Sequence, residues 1–323
     1  MLTFPKPWRR ALCAALLACA AGAAFAWPDK PVRIVVPAPA GGTMDVMARV
    51  LAEQMAKDLG QPFIVDNKPG AGGGIGIQAL LNSPPDGHTL MVTASNVLTE
   101  IPHVMKVSFD PLKDVRPVYA VARVRNLLVS SSKLPAQDFA GLVAYLKANP
   151  GKYSYASHSP GTASHYAGLY LSQVNGLDLQ HIPFAGAPPA LTQLMSGEVT
   201  VMFDNIITST PLVAAGKLRA YGIGGATRHP NLPQVPTFVE LGRPELDYTN
   251  WFGFVASSKL PDAQAERIAR AVQKAAEVPA VREKLMSLGF EMAPPQSPAE
   301  LSQAVRAEFE RNAAIVKKFN ITP

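Results

Sequence analysis

Two glycine-rich turns, each set between a short apolar run and a helical stretch, restrict this chain to an α/β design. The first, Pro37 to Asp45 with Gly41-Gly42 at its centre, follows Val32–Val36. The second, Asn67 to Gly76 with Gly70, Gly72, Gly73 and Gly74, follows Phe63–Val65. Small residues leave the backbone amides of such a turn bare. At a helix N-terminus those amides lack intrahelical partners and carry the positive end of the helix dipole. The chain therefore offers cradles for an anion.

The same alternation runs through most of the sequence. Strands at Thr89–Thr93 and Val118–Val124 complete a first set, and Leu127–Ser130, Tyr153–Ala156, Leu179–Pro183, Val199–Phe203 and Leu218–Ile223 form a second. Helices are predicted at Thr43–Leu59, Asp138–Asn149, Thr162–Val174, Pro188–Met195 and Ile206–Ala215. In the first of these Val46, Met47, Val50, Leu51 and Met55 share one face, and Gly60 stops the helix. Pro188 suits a first helical position. Strands and helices in this order predict mostly parallel sheets. A Pro- and Gly-rich loop then leads to an aromatic strand, Tyr248–Val255, and to helices at Asp262–Glu277, Ala280–Leu288 and Pro298–Phe319. No third sheet is available for that strand, so the chain is expected to return to the first. The expected architecture is two α/β lobes, residues 27–125 with 240–323 and residues 126–239. Crossings near Val124–Asn126 and Glu240–Asn250 would leave a ligand cleft at the strand ends.

The first 26 residues are set aside as an export leader. Lys6, Arg9 and Arg10 precede the uncharged run Ala11–Ala26, which ends Ala24-Phe25-Ala26, a small-x-small site for cleavage after Ala26. The run is short for a membrane span. Arg9-Arg10 leaves twin-arginine export open, and Leu16-Leu17-Ala18-Cys19 is a poor lipoprotein box. Both cysteines, Cys13 and Cys19, fall in the leader, so a mature chain in the oxidising periplasm would use no disulfide, thiolate or cysteine–metal chemistry. The whole chain has 30 Lys and Arg against 24 Asp and Glu; without the leader's three basic residues the count is 27 against 24, a net +3. With no basic cluster, nucleic acid is not an expected partner. A monomer without metal or cofactor is expected.

The candidate ligand-binding residues come from these turns in both lobes. In the first lobe they are Ala38, Pro39, Gly41, Gly42, Thr43 and Asp45, then Gly72 and Gly73, with Ser95 after the third strand. In the second they are Ser157, His158, Thr162, Ala163, Ser164 and His165 in one strand-to-helix turn, Phe184 and Gly186 in the next, and Asp204 at a strand end. The hydroxyls of Thr43, Thr162 and Ser164 can cap helices or donate to a carboxylate. Small residues also make tight turns with no ligand at all. A histidine near a helix start often caps or packs. Asp204 reads as a cap for the helix opening at Ile206, or as a selector for a ligand that carries a donor opposite its carboxylate.

Enzyme signatures are mostly missing. There is no Gly-x-Ser-x-Gly elbow, no P-loop after Gly151-Lys152 or Gly216-Lys217, no Gly-x-Gly-x-x-Gly register and no His-Glu-x-x-His. A hydrolase or lyase would need His158 or His165 as base with Ser157, Ser159 or Ser164, and a carboxylate to orient the base.

Ordered motifs across the mature chain resemble the Bug-type periplasmic solute-binding receptors of tripartite tricarboxylate transporters. They include Trp27-Pro28-Asp29-Lys30-Pro31, Gly41-Gly42 with Asp45 and Ala48-Arg49, Asn67-Lys68-Pro69-Gly70-Ala71-Gly72-Gly73 and Pro85-Asp86-Gly87-His88. His181-Ile182-Pro183-Phe184, Phe203-Asp204, Gly216-Lys217-Leu218-Arg219 and Leu232-Pro233-Gln234-Val235-Pro236-Thr237 continue them. The resemblance implies a type II, Venus-flytrap receptor that closes on a small carboxylate without chemistry. It would pass the carboxylate to inner-membrane subunits driven by an ion gradient. It also implies that the turns Pro37–Asp45 and Asn67–Gly76 hold the carboxylate. Two positions depart from the family pattern: Ala38 replaces a usual aromatic and Ala185 a frequent lysine, which enlarges and neutralises the pocket. A mono- or dicarboxylate with an apolar or aromatic body fits better than citrate. Delivery to a membrane sensor instead of a transporter is the alternative.

Overall fold

The computed structural model describes residues 27–247 and 249–319; the expected leader, ending at Ala26, lies outside them. The first lobe is built on β1 (Val32–Val36), β2 (Phe63–Asn67) and β3 (Thr89–Ala94), with β1 parallel to both neighbours. Helices α1 (Thr43–Leu59), α2 (Gly74–Leu81) and a single turn α3 (Asn96–Thr99) follow these strands in order. The second lobe holds β5 (Tyr153–Ser157), β6 (Leu179–Pro183) and β7 (Val201–Asn205), again parallel, with β8 (Leu218–Ile223) joining through β4. Its helices are α4 (Phe139–Lys147), α5 (Ala163–Asn175), α6 (Ala187–Ser196) and α7 (Ile206–Ala214).

One strand joins the two halves. β4 (Val115–Ser131) is a continuous 17-residue strand, where the sequence reading expected two. Its first part pairs antiparallel with β9 (Thr249–Ser257) up to Arg125, and from Asn126 onward it pairs with β7 and β8. The polar pair Arg125-Asn126 interrupts the apolar pattern without interrupting the backbone ladder. The aromatic strand β9 does return to the first sheet, between β3 and β4 and antiparallel to both. Helices α8 (Asp262–Glu277), α9 (Pro279–Leu288) and α10 (Pro298–Phe319) then cover that lobe, and the two-residue β10 (Glu291–Met292) edges β4.

Among the shifted boundaries, those of β2 and β7 bear on the site. β2 runs on to Asn67, and β7 begins two residues later than expected and ends at Asn205. Both shifts carry a polar Asp-Asn pair into the end of a strand, beside a turn. The largest apolar cluster takes buried residues from both lobes: Val36 and Leu51 from one, Leu191 and Met202 from the other. Separate clusters lie under α2 and α10 and under α4 and α5. Among the described residues no helix is long and apolar enough to cross a membrane.

Candidate ligand-binding cleft

A cavity of about 290 Å³ lies between the lobes. Helices α1, α2, α5, α6 and α7 all begin beside it, and none of their N-cap residues makes a side-chain cap bond. Amides of the first turn have no partner inside a helix, so these ends present donors and positive dipole ends to one space. Among the described residues no lysine or arginine lines it, and Asp204 and His158 are its titratable side chains. Val97, Ile101 and Met105 on one side, with Val124, Phe203 and Phe252, make the rest of the wall apolar.

Thirteen of the residues expected from sequence line this cavity: Ala38, Pro39, Gly42, Thr43, Gly72, Gly73, His158, Thr162, Ala163, Ser164, Phe184, Gly186 and Asp204. Gly41, Asp45, Ser95, Ser157 and His165 do not. They stand behind the lining and hold it. Asp45 accepts from the Gly41 amide at 2.8 Å, from Arg49 Nε at 3.0 Å and from Asn67 Nδ2 at 3.0 Å. Asn67 Nδ2 also donates to the Ala38 carbonyl. The first turn is thus tied at both ends to β2. Burial works against the Asp45 charge, but Arg49, the Gly41 amide and Asn67 together hold its carboxyl below the ordinary range. Ser95 donates to Asn250 Oδ1 at 2.9 Å, and Asn250 is the residue that faces the cavity.

In the second lobe Ser157 Oγ and His181 Nε2 are 2.7 Å apart. His181 stacks on His165 with ring centroids 4.0 Å apart, and the Gly161 amide donates to His165 Nδ1. Burial, and then the neighbouring His181, pushes His165 down to about 3; burial alone pushes His181 down to about 4. Both rings are therefore neutral packing pieces under the turn. Thr162 Oγ1 donates to the Ser159 carbonyl, and Ser164 Oγ accepts the His158 amide, so neither hydroxyl caps its helix.

Asp204 does not cap α7, the first of its two readings; Asn205 occupies the N-cap. The Asp204 carboxylate is fully buried and meets His158 Nε2 at 2.7 Å through one oxygen. Its other oxygen accepts Thr208 Oγ1 and Ser209 Oγ, each at 2.6 Å. The serine–histidine and histidine–carboxylate contacts thus fall on different histidines, and a serine relay is not assembled among the described residues.

The two walls touch. Asn205 Nδ2 donates to Thr43 Oγ1 across the cleft at 3.1 Å. Gly186 has φ +113°, and a Cβ there would sit 2.6 Å from Pro39 Cδ, so only glycine permits this approach. Gly73 is constrained likewise: at φ +91° its Cβ would meet Val97 Cγ1 at 2.8 Å. Sequence reasoning missed the cavity-facing asparagines Asn96, Asn126, Asn205 and Asn250. Asn205 ends β7 and Asn250 stands second in β9, whereas Asn96 opens α3 and Asn126 lies inside β4, so no shared position marks the four.

The sequence model of the family described as "Tripartite tricarboxylate transporter family receptor" matches residues 47–321. Protein BugT of Bordetella pertussis is 32% identical over 296 residues, covering 90% of this chain and 90% of BugT. The structure of MatC from Rhodopseudomonas palustris with bound malate superposes with TM-score 0.83 at 32% identity, covering 90% of this chain and all of that one. R. palustris Rpa4515 with adipate gives TM-score 0.85 at 30% identity, with 92% and 99% covered. The fold is that of the two-lobed periplasmic binding proteins.

Proposed function

The chain belongs to the tripartite tricarboxylate transporter receptor family, and on that footing we propose that it captures a small organic carboxylate in the periplasm and delivers it unaltered to inner-membrane transporter subunits. The observation that carries this reading is the meeting of five uncapped helix starts at a cavity with no lysine or arginine. Such a site favours an anion through amides and dipoles, without the cationic side chains that a phosphate or a tricarboxylate would draw on. Its apolar walls suit a mono- or dicarboxylate with a hydrocarbon body. Relatives seen with malate and adipate support that class. The lobes, taken as residues 27–125 with 240–323 and residues 126–239, close as hinged bodies about the crossings at Arg125-Asn126 and in the return segment. The solute stabilises the closed form by contacts that the open form lacks. The mature protein, released after Ala26, acts as a monomer.

Thermal melts against a panel of mono-, di- and tricarboxylates test this. A solute at 100 times its dissociation constant adds about 2.7 kcal/mol to stability and raises Tm. A panel in which no carboxylate shifts Tm removes the reading.

A further inference from the structure

The cavity presents an electrostatic imbalance. Asp204 brings a fully buried carboxylate to its wall, and its partners are a histidine and two hydroxyls, with no lysine or arginine. The His158 ring spends Nε2 on Asp204. Among the described residues that is the ring's one side-chain bond, which leaves Nδ1 for a solute. The histidines packed beside this turn cannot supply charge: His165 from α5 and His181 from β6 are held neutral by burial. Across the cleft the nearest charged pair of the first turn, Asp45 with Arg49, stands behind the lining and is satisfied internally.

A monocarboxylate seated on the helix starts of the first lobe leaves this arrangement untouched. A dicarboxylate places a second negative charge near Asp204, inside a partly desolvated space where like charges repel strongly. The one cation the walls can make is the His158 imidazolium, sandwiched between two carboxylates. From this geometry we infer that His158 selects dicarboxylates by taking up a proton as they bind, donating Nδ1–H to the second carboxylate and Nε2–H to Asp204. This deepens the proposed function and rests on it. It makes the second lobe a charge-matching device in which a proton stands in for a fixed lysine. A proton bound with the solute makes affinity fall as pH rises, by up to about tenfold per pH unit.

Isothermal titration in buffers of different ionisation enthalpy reads the proton count directly. The probes are adipate and hexanoate, which share six carbons and differ in the second carboxylate, both fully ionised between pH 7 and 9. The expected result for the wild-type protein is uptake approaching one proton per adipate and none per hexanoate. His158→Gln keeps a donor for Asp204 but cannot titrate. It should abolish uptake, weaken adipate about tenfold at pH 7 and leave hexanoate within about twofold. Adipate binding without proton uptake in the wild type overturns the inference whatever the variant does. Equal uptake with hexanoate, or uptake retained in His158→Gln with an unchanged unliganded melt, overturns it as well. If no carboxylate of the thermal panel binds, the proposed function itself fails and takes the inference with it; if monocarboxylates bind and no dicarboxylate does, the inference alone fails.

Discussion

The two walls of the cleft are built on opposite plans. The first-lobe wall offers backbone and uncharged side chains: Gly42, Thr43, Gly72 and Gly73 line it together with Asn96 and Asn250, and the charged groups that shape it, Asp45 and Arg49, stand behind. The second-lobe wall also presents helix starts, those of α5, α6 and α7, but adds titratable side chains: His158 and the buried Asp204 stand in the lining itself, while its neutral histidines, His165 and His181, are packed beneath. Amides are the same in every residue and recognise a carboxylate as such. Side chains can be exchanged one at a time and can titrate. Under the proposed function, the contrast assigns general carboxylate capture to the first lobe and discrimination among carboxylates to the second.

A substitution on the first wall should therefore affect all solutes equally, in contrast to His158→Gln. Thr43→Pro is the sharpest choice. Proline fits the first helical position, and Gly42 before it is already extended at φ −76°, ψ 165°. The change deletes one amide donor and the hydroxyl that accepts Asn205 Nδ2. Losing one hydrogen bond to a charged group costs about 1.5–3 kcal/mol, so dissociation constants for adipate and hexanoate should both rise at least about tenfold, in parallel. A selective loss of adipate alone would reverse the assignment of the two walls.

A smaller effect is expected on stability without solute. His165 and His181 bind protons in the unfolded chain near the ordinary 6.5 but in the folded protein only near 3 and 4. The unfolded state therefore gains protons first as pH falls. Their contribution is complete above about pH 6.5 and is lost progressively toward the folded values. Glu100, in the first lobe, runs the other way: burial and then Glu308 raise its carboxyl well above the ordinary value, so its contribution is complete in acid and is lost as pH rises through that raised value. Melts should show Tm falling by about 3 °C or more between pH 7 and pH 5. His165→Asn retains an acceptor for the Gly161 amide and should flatten that slope. An unchanged slope in the variant would place the acid sensitivity elsewhere.

Much of this was legible in the sequence, for identifiable reasons. The apolar runs of β1, β3 and β8 and the glycine stops of α1, α5 and α6 carry their own boundaries. A helix after the second turn was expected without bounds, because Gly74 and Gly76, which read as part of the turn, lie inside its first turn. β4 read as two strands because Arg125-Asn126 is polar, although the ladder passes through it. At the site the turns were visible but their sidedness was not. Asp45, Ser95, Ser157 and His165 belong to the same short segments as the lining, and only the fold decides which residues face inward. Asn205 and Asn250 were hidden by the opposite ambiguity, since asparagine at a strand end is ordinary turn chemistry, while Asn96 in α3 and Asn126 inside β4 gave no signal.

The division of labour between the walls is tested most directly by a crystal structure with adipate bound. The account predicts one carboxylate on the amides that open α1, at Thr43 and Met44, and the other within hydrogen-bond distance of His158 Nδ1, with the Nε2 contact to Asp204 retained. Adipate outside the cleft, or seated with both carboxylates on the first wall and His158 free of it, would contradict the account.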